Sequence, residues 1–145
     1  MKGRVLVFVQ FSALAALSWL AWTAEPSAPQ YVFAAVVAAI GALVLGRAAS
    51  DLRSALTVFP EPRVDAPFVT RGIYHTVRHP MYLAVLLIAL ALCAMASSPL
   101  AWTVFVLLAI DLRSKYRYED ALLADRWPTA RDYQREVPAL LPRFR

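Results

Sequence analysis

Four apolar blocks divide the chain, at residues 5–23, 31–46, 80–96 and 99–112. A helix rises about 1.5 Å per residue and a bilayer's hydrocarbon core is about 30 Å thick, so the first block is long enough to span it. The second is alanine-rich, and Ala34, Ala38 and Ala42 recur at four-residue spacing. Small residues on one face let membrane helices approach closely, so this spacing predicts a packing seam. "SSP" (Ser97–Pro99) separates the last two blocks by a breaker-rich turn, which predicts a helical hairpin. The fourth block is short for a span and predicts a helix continuing into the polar stretch "DLRSKYRYEDALL", 111–123.

Composition supports the membrane assignment. Hydrophobic residues make up 60% of the chain and charged residues 17%, too apolar for a disordered or ordinary soluble protein. Lys2 and Arg4 ahead of the first block also suit a signal peptide, but that run is long and further blocks follow it. A retained span is the expectation. Cys93 is the only cysteine, which excludes an internal disulfide. No internal repeat or low-complexity tract is visible, so residues 1–145 are expected to form one domain.

Charge placement predicts the orientation. Two Lys/Arg precede the first block, five lie in residues 47–79 and eight in residues 113–145, which accounts for all fifteen. The connections "AEPSAPQ" and "SSP" hold none. Positively charged loops stay on the cytoplasmic side, so both termini and the central loop are expected there. The expected fold is an all-α membrane protein: four transmembrane helices with a cytoplasmic C-terminal helical extension and lid.

Two polar clusters then fall on the cytoplasmic side. "GIYHTVRHPMY", residues 72–82, holds both histidines at the start of the third block. His75 and His79 have the spacing of a helical metal pair, but Pro80 disfavours the α conformation at His79 and suits the first position of a new helix. With no nearby cysteine or third histidine, no metal site is expected. Arg78 and His79 instead stand at a helix start, where exposed amides can hold an anion, and Tyr82 lies one turn in. The bland alternative is that these residues anchor the helix at the membrane interface.

The second cluster, "RSKYRYEDALL", pairs Lys115 with Glu119 and Arg113 with Arg117 across single helical turns. A solvated, salt-bridged helix is its bland reading. Tyr116 and Tyr118 suit an interface belt or the wall of a cation site. The tail "YQREVPALLPRFR" carries Val137, Leu140 and Leu141, apolar residues that need something to cover. A lid folded back over the bundle would satisfy them.

Taken together, "FVTRGIYHTVRHPMYLA", "YEDALL" and "DYQREVPALLP" resemble the isoprenylcysteine carboxyl methyltransferase family of integral membrane enzymes. The resemblance covers residues 67–142 and consists of an ordered set: G-x-Y, R-H-P-x-Y, an acidic pair, then Y-x-x-x-V-P and a final proline. It implies a methyltransferase using S-adenosylmethionine, held in a cytoplasm-facing pocket. Carried over by position, the cofactor residues are Phe68, Val69, Tyr74, His79, Pro80, Tyr82 and Glu119. A basic residue one turn before the glutamate helps place the substrate in that family, and Lys115 stands there. The family usually has arginine at this position, and lysine cannot reproduce bidentate carboxylate binding, so Arg113 and Arg117 are further candidates for substrate placement. Asp120 replaces a second glutamate, and "WPTARDY" replaces F-G-x-x-Y; both departures bear on the substrate.

S-adenosylmethionine carries a sulfonium, an ammonium and a carboxylate. Aromatic faces and Glu119 suit the cations, and the helix start at His79–Pro80 suits the carboxylate. Methyl transfer is a displacement governed by alignment, so no nucleophilic side chain is needed. The expected partners are membrane lipid and a lipid-like or small hydrophobic acceptor, preferably a carboxylate or thiol, and not nucleic acid. A phospholipid N-methyltransferase is the alternative among enzymes. A non-catalytic scaffold binding anionic lipid through its basic face is the alternative outside them.

Overall fold

Proline stands at the first or second position of three of the long helices, where its missing N–H costs nothing and its fixed φ favours the helix. In the computed structural model, which describes residues 2–59, 61 and 67–142, five α-helices form and no strand occurs among the described residues. They are α1 (Lys2–Trp22), α2 (Ala28–Leu52), α3 (Pro80–Ala96), α4 (Pro99–Arg126) and α5 (Ala130–Glu136), with single 3-10 turns at Arg53–Ala55 and Gly72–His75. Arg63, Arg143 and Arg145, which entered the charge count, lie outside the described residues.

By length and composition α1 and α2 are each able to cross a membrane; α3 is apolar but shorter. The second apolar block is extended at both ends, to Ala28 and to Leu52, because its polar flanks do not interrupt the helix. The fourth block continues unbroken through the polar stretch, as expected, to give the 28-residue α4. Large apolar side chains face outward along α1 and α2, among them Trp19, Trp22 and Leu43. Outward-facing apolar residues in such quantity suit a lipid surrounding.

Helix α3 is central and packs against α1, α2 and α4; α1 also packs on α4. Leu17, Ala89, Cys93, Ala101, Leu108 and Leu112 form the fully enclosed core of α1, α3 and α4. The α2–α3 contact is built differently. Its buried α2 residues are Ala34, Gly41 and Ala48, and a Cβ on Gly41 would meet the Ile88 side chain at 3.0 Å and the Ala84 carbonyl at 3.2 Å. The seam therefore follows a seven-residue spacing. Of the expected trio only Ala34 is buried, and Ala42 is exposed. Four residues turn a helix by about 400°, so that spacing drifts off a face, whereas seven return within about 20°.

At one end of the bundle the two short connections are tied together. Gln30 accepts the Ser27 N–H at 2.7 Å and donates to the Ser97 hydroxyl. Ser97 takes the left-handed conformation that ends α3, and the Ser98 hydroxyl accepts the Ala101 N–H to cap α4.

At the other end Asp51 carries the connection. Its carboxylate accepts the Ile73 N–H at 2.9 Å and the Arg47 Nε–H at 3.1 Å. Gly72 lies beneath it with φ +63°, and a Cβ there would collide with the carboxylate. Only glycine meets both demands. The segment after α5 returns to the same place, where the Arg78 and His79 N–H groups donate to the Pro138 and Ala139 carbonyls, each at 2.9 Å. Val137 is buried there, but Leu141 remains 73% exposed, so the fold-back covers only part of the tail's apolar surface.

Candidate functional site

His79 holds the residue before α3 outside the α region, at φ −122° and ψ 60°, as Pro80 requires. That backbone turns its ring into the protein, where it is 5% exposed. The ring lies between those of Tyr82 and Tyr116, with both centroids 5.4 Å away. Its Nε2 is 3.0 Å from Asp120 Oδ1, and its Nδ1 is 3.6 Å from Glu119 Oε2. The Tyr82 hydroxyl donates to the same Glu119 oxygen at 2.8 Å. Two adjacent carboxylates on α4 are thus gathered around one imidazole at the start of α3.

Asp120 also ties this centre to the C-terminal segment. Its Oδ2 pairs with Arg78 at 3.0 Å, Arg78 donates to the Gln134 carbonyl, and Gln134 donates to the Asp120 carbonyl at 2.8 Å. The Arg78 Nε is buried without a hydrogen-bond partner among the described residues. An orphaned donor of this kind is costly unless a ligand satisfies it.

These groups border a cavity of about 390 Å³, within the usual range for small-molecule sites. Its walls change character along their length. Phe68, Trp127 and Tyr133 form an aromatic wall, with Phe68 stacked on Trp127 at 5.4 Å and edge-on to Tyr133. Arg78, His79, Tyr82, Glu119 and Asp120 form the polar part. Phe11 and Leu14 of α1, Leu45 of α2 and Val85 and Ile88 of α3 form a hydrocarbon-like part.

The sequence-derived candidates divide cleanly. Phe68, Val69, Tyr74, His79, Tyr82, Glu119 and Lys115 all line the cavity. Pro80 is buried at the helix start, behind this lining. Arg113 and Arg117 stand on the exposed side of α4, away from the cavity, and Arg113 donates to the Tyr116 hydroxyl at 3.1 Å. His75 is exposed. The start of α3 offers less to an anion than its sequence suggested. Pro80 has no N–H, those of Tyr82 and Leu83 bond the His79 carbonyl, and those of Arg78 and His79 go to the returning tail.

Burial governs the electrostatics. It raises the Glu119 carboxyl above the ordinary range, opposed by His79 and by the Tyr82 hydrogen bond. It lowers the Lys115 ammonium, opposed by Asp111 and Glu119. Burial also raises the Tyr74 hydroxyl, and it pushes that of Tyr133, which donates to the Tyr74 carbonyl, up to about 12. A carboxylate held in so poorly solvated a place gains strongly from a cationic ligand.

Sequence reasoning missed Gln10, Trp127 and the apolar wall from α1 and α2. Gln10 had a signal, as the only amide side chain in the first apolar block. The wall had none, because Phe11, Leu14 and Leu45 look like any other span residues.

Two comparisons with known proteins bear on this site. The model of the isoprenylcysteine carboxyl methyltransferase family matches residues 34–125, from α2 through nearly all of α4. The cobalt-zinc-cadmium resistance protein CzcN of Cupriavidus metallidurans is 41% identical over 84 residues, 57% of this chain and 38% of that protein. The matched stretch is therefore less than two fifths of the relative's length.

Proposed function

This chain belongs to the isoprenylcysteine carboxyl methyltransferase family, and from that membership we propose that it is an S-adenosylmethionine-dependent membrane methyltransferase acting on a lipid-like or small hydrophobic acceptor. The observation that carries the reading is one cavity that joins a half-buried carboxylate, aromatic walls and a hydrocarbon-like arm.

The donor set suits the cofactor. Glu119, ringed by Tyr82 and His79, is an anionic partner for an ammonium or sulfonium. Phe68, Tyr74, Trp127 and Tyr133 give the faces that flat rings and cations favour. Arg78, with Nε unspent, is the donor for a carboxylate in place of the occupied amides at the start of α3. When bound, S-adenosylmethionine would supply an electrophilic methyl group on a positively charged sulfur. The protein's part is alignment and exclusion of water. His79 is held by Asp120 and Glu119 by Tyr82, and the wall beyond this polar part is largely apolar.

In this reading α1 to α4 all enter the bilayer, with both termini and the loop before α3 in the cytoplasm. The apolar arm then lies at membrane depth and the Glu119 end near the cytoplasmic face. An acceptor with a hydrocarbon tail would place its polar head beside the cofactor. Lys115, one turn before Glu119, favours a carboxylate or thiolate head over a protonated amine.

Membranes containing the protein should be incubated with methyl-labelled S-adenosylmethionine, extracted into lipid and treated with mild alkali. Volatile labelled methanol is expected from a methyl ester. Label kept in phospholipid headgroups would instead establish an N-methyltransferase, and no incorporation by folded protein would end the enzyme reading.

A further inference from the structure

Arg113 and Arg117 have no part in the cavity, because α4 turns them outward. They continue an outward stripe of that helix, on which Thr103, Val106, Leu107 and Ile110 are exposed at helical spacing. The apolar part of the stripe ends at Ile110, and the basic part begins one turn later at Arg113. Among the described residues neither arginine pairs with a carboxylate. Arg113 donates instead to the Tyr116 hydroxyl at 3.1 Å, and the Tyr116 ring stacks on that of His79 with centroids 5.4 Å apart. A ring held against the buried His79 thereby fixes one guanidinium on the outer surface.

The depth of these cations is costly. At about 1.5 Å per residue the apolar block of α4 reaches about 21 Å, against about 30 Å for a bilayer's hydrocarbon core. Helix α1 has 21 residues and still presents Phe8 and Val5 outward near its N-terminus, 72% and 60% exposed. The hydrogen bond from Lys115 to Gln10 sets the register between α1 and α4. Leu17 and Leu108, seven residues from that pair on each helix, share the enclosed core. The two helices therefore run antiparallel, which puts Arg117 near the level of Phe8 and Arg113 about one turn deeper. At that level α1 is still apolar on its outer side while α4 already presents guanidinium groups. A cation facing hydrocarbon costs free energy, and a phosphate drawn down beside it offsets that cost.

We propose that Arg113 and Arg117 form a headgroup site for an anionic phospholipid, whose acyl chains lie along Ile110, Leu107 and Val106. Residues four apart share a helix face, so both side chains can reach one phosphate. Guanidinium groups hold phosphate through paired N–H donors, which a lysine cannot reproduce. A zwitterionic lipid brings a cation of its own, which the two arginines repel. The lipid held here sits on the outer side of α4, away from the cavity, and is not the methyl acceptor. The proposal rests on the bilayer placement of α1 and α4 given above and is independent of methyl transfer.

The full chain in detergent should be mixed with equal amounts of phosphatidylglycerol and phosphatidylcholine carrying identical chains, and the retained lipid counted by native mass spectrometry. Phosphatidylglycerol should be retained about tenfold or more over phosphatidylcholine, since each basic residue near a membrane surface contributes about fivefold. Arg113→Gln with Arg117→Gln should bring the two lipids to near parity, and Arg113→Lys with Arg117→Lys should restore only part of the preference. Arg131→Gln with Arg135→Gln removes the same charge from exposed positions of α5 and should leave the preference intact. Parity in the wild-type protein, or equal losses from the α4 and α5 pairs, would overturn the site. Bilayer placement is read separately, from a spin label at Phe8→Cys in a Cys93→Ala background in nanodiscs. Oxygen should relax that label more than a water-soluble nickel complex does. Parity of the lipids with such a label defeats the headgroup site alone, whereas a water-exposed label defeats the placement on which it rests.

Discussion

The α2–α3 seam and the α3–α4 contact near Glu119 share a helix but work by opposite physics. In the seam, Ala34, Gly41 and Ala48 are the buried residues of α2, and Gly41 lets α3 approach closely, with Ile88, Leu87 and the Ala84 carbonyl against it. Toward the N-terminus of α3 from that seam's contact at Ala84 and Ile88, the helix start meets α4 through two bonded pairs, His79 with Asp120 and Tyr82 with Glu119. The first contact is set by volume and tolerates no extra atom. The second is set by partners and tolerates no missing one. Stability should therefore respond to size in the seam, and ligand binding should respond to charge at the polar contact.

Gly41→Leu should show the largest effect on folding. Its side chain must enter space already taken by Ile88, Leu87 and the Ala84 carbonyl. Overpacking of this kind costs about 1–3 kcal/mol. Thermal unfolding in detergent should fall clearly, and a variant as stable as the parent would show that α2 and α3 separate freely.

Gly72→Ala comes next. It combines a left-handed backbone with a collision against Asp51, at about 1–2 kcal/mol. Because Asp51 anchors Ile73 beside the site, cofactor affinity should drop along with the unfolding temperature. A change in stability alone would uncouple this loop from the cavity.

The polar contact can be probed through pH. Burial raises the Glu119 pKa, so the free protein takes up a proton there at a higher pH than an ordinary carboxyl would. A cationic ligand requires the ionised form. Affinity for S-adenosylmethionine should therefore weaken as pH falls through that raised value, by up to about tenfold per unit, and Glu119→Gln should flatten the profile. Stability of the free protein has the opposite sign. The folded state holds the proton longer, so stability should decline as pH rises from the ordinary carboxyl range through the raised value. Persistence of both slopes in folded Glu119→Gln would assign them to another group.

The smallest effects belong to the exposed side of α4. Arg113→Gln and Arg117→Gln should each change cofactor affinity and stability by no more than about 0.5 kcal/mol. A large loss of activity from either would bring that face back into the site.

Much of the bundle was readable because apolar blocks and proline helix starts are local signals. Pro80 and Pro99 marked the beginnings of α3 and α4, and the continuation of α4 followed from unbroken helical spacing. The α2 seam was misplaced because a run of alanines fits several faces, and only the position of Ile88 and Ala84 selects Gly41. At the site, the ordered motifs pointed to His79, Tyr82 and Glu119, which the fold brings together. Local spacing could not distinguish Lys115 from Arg113 and Arg117, since which of them α1 covers depends on helix packing. The same reason hid Gln10, whose partner lies 105 residues away. The tail's grip on the Arg78 and His79 N–H groups, just ahead of α3, was equally invisible.

Calorimetric titration of S-adenosylmethionine into the protein in nanodiscs tests the central claim most directly, with Glu119→Gln and Asp125→Asn as a matched pair. Both substitutions remove one carboxylate from α4, but Glu119 lines the cavity and Asp125 is exposed. The wild-type protein and Asp125→Asn should bind alike, with Glu119→Gln weaker by about 1–3 kcal/mol. No binding by folded wild-type protein, or equal losses from the two substitutions, would contradict the account.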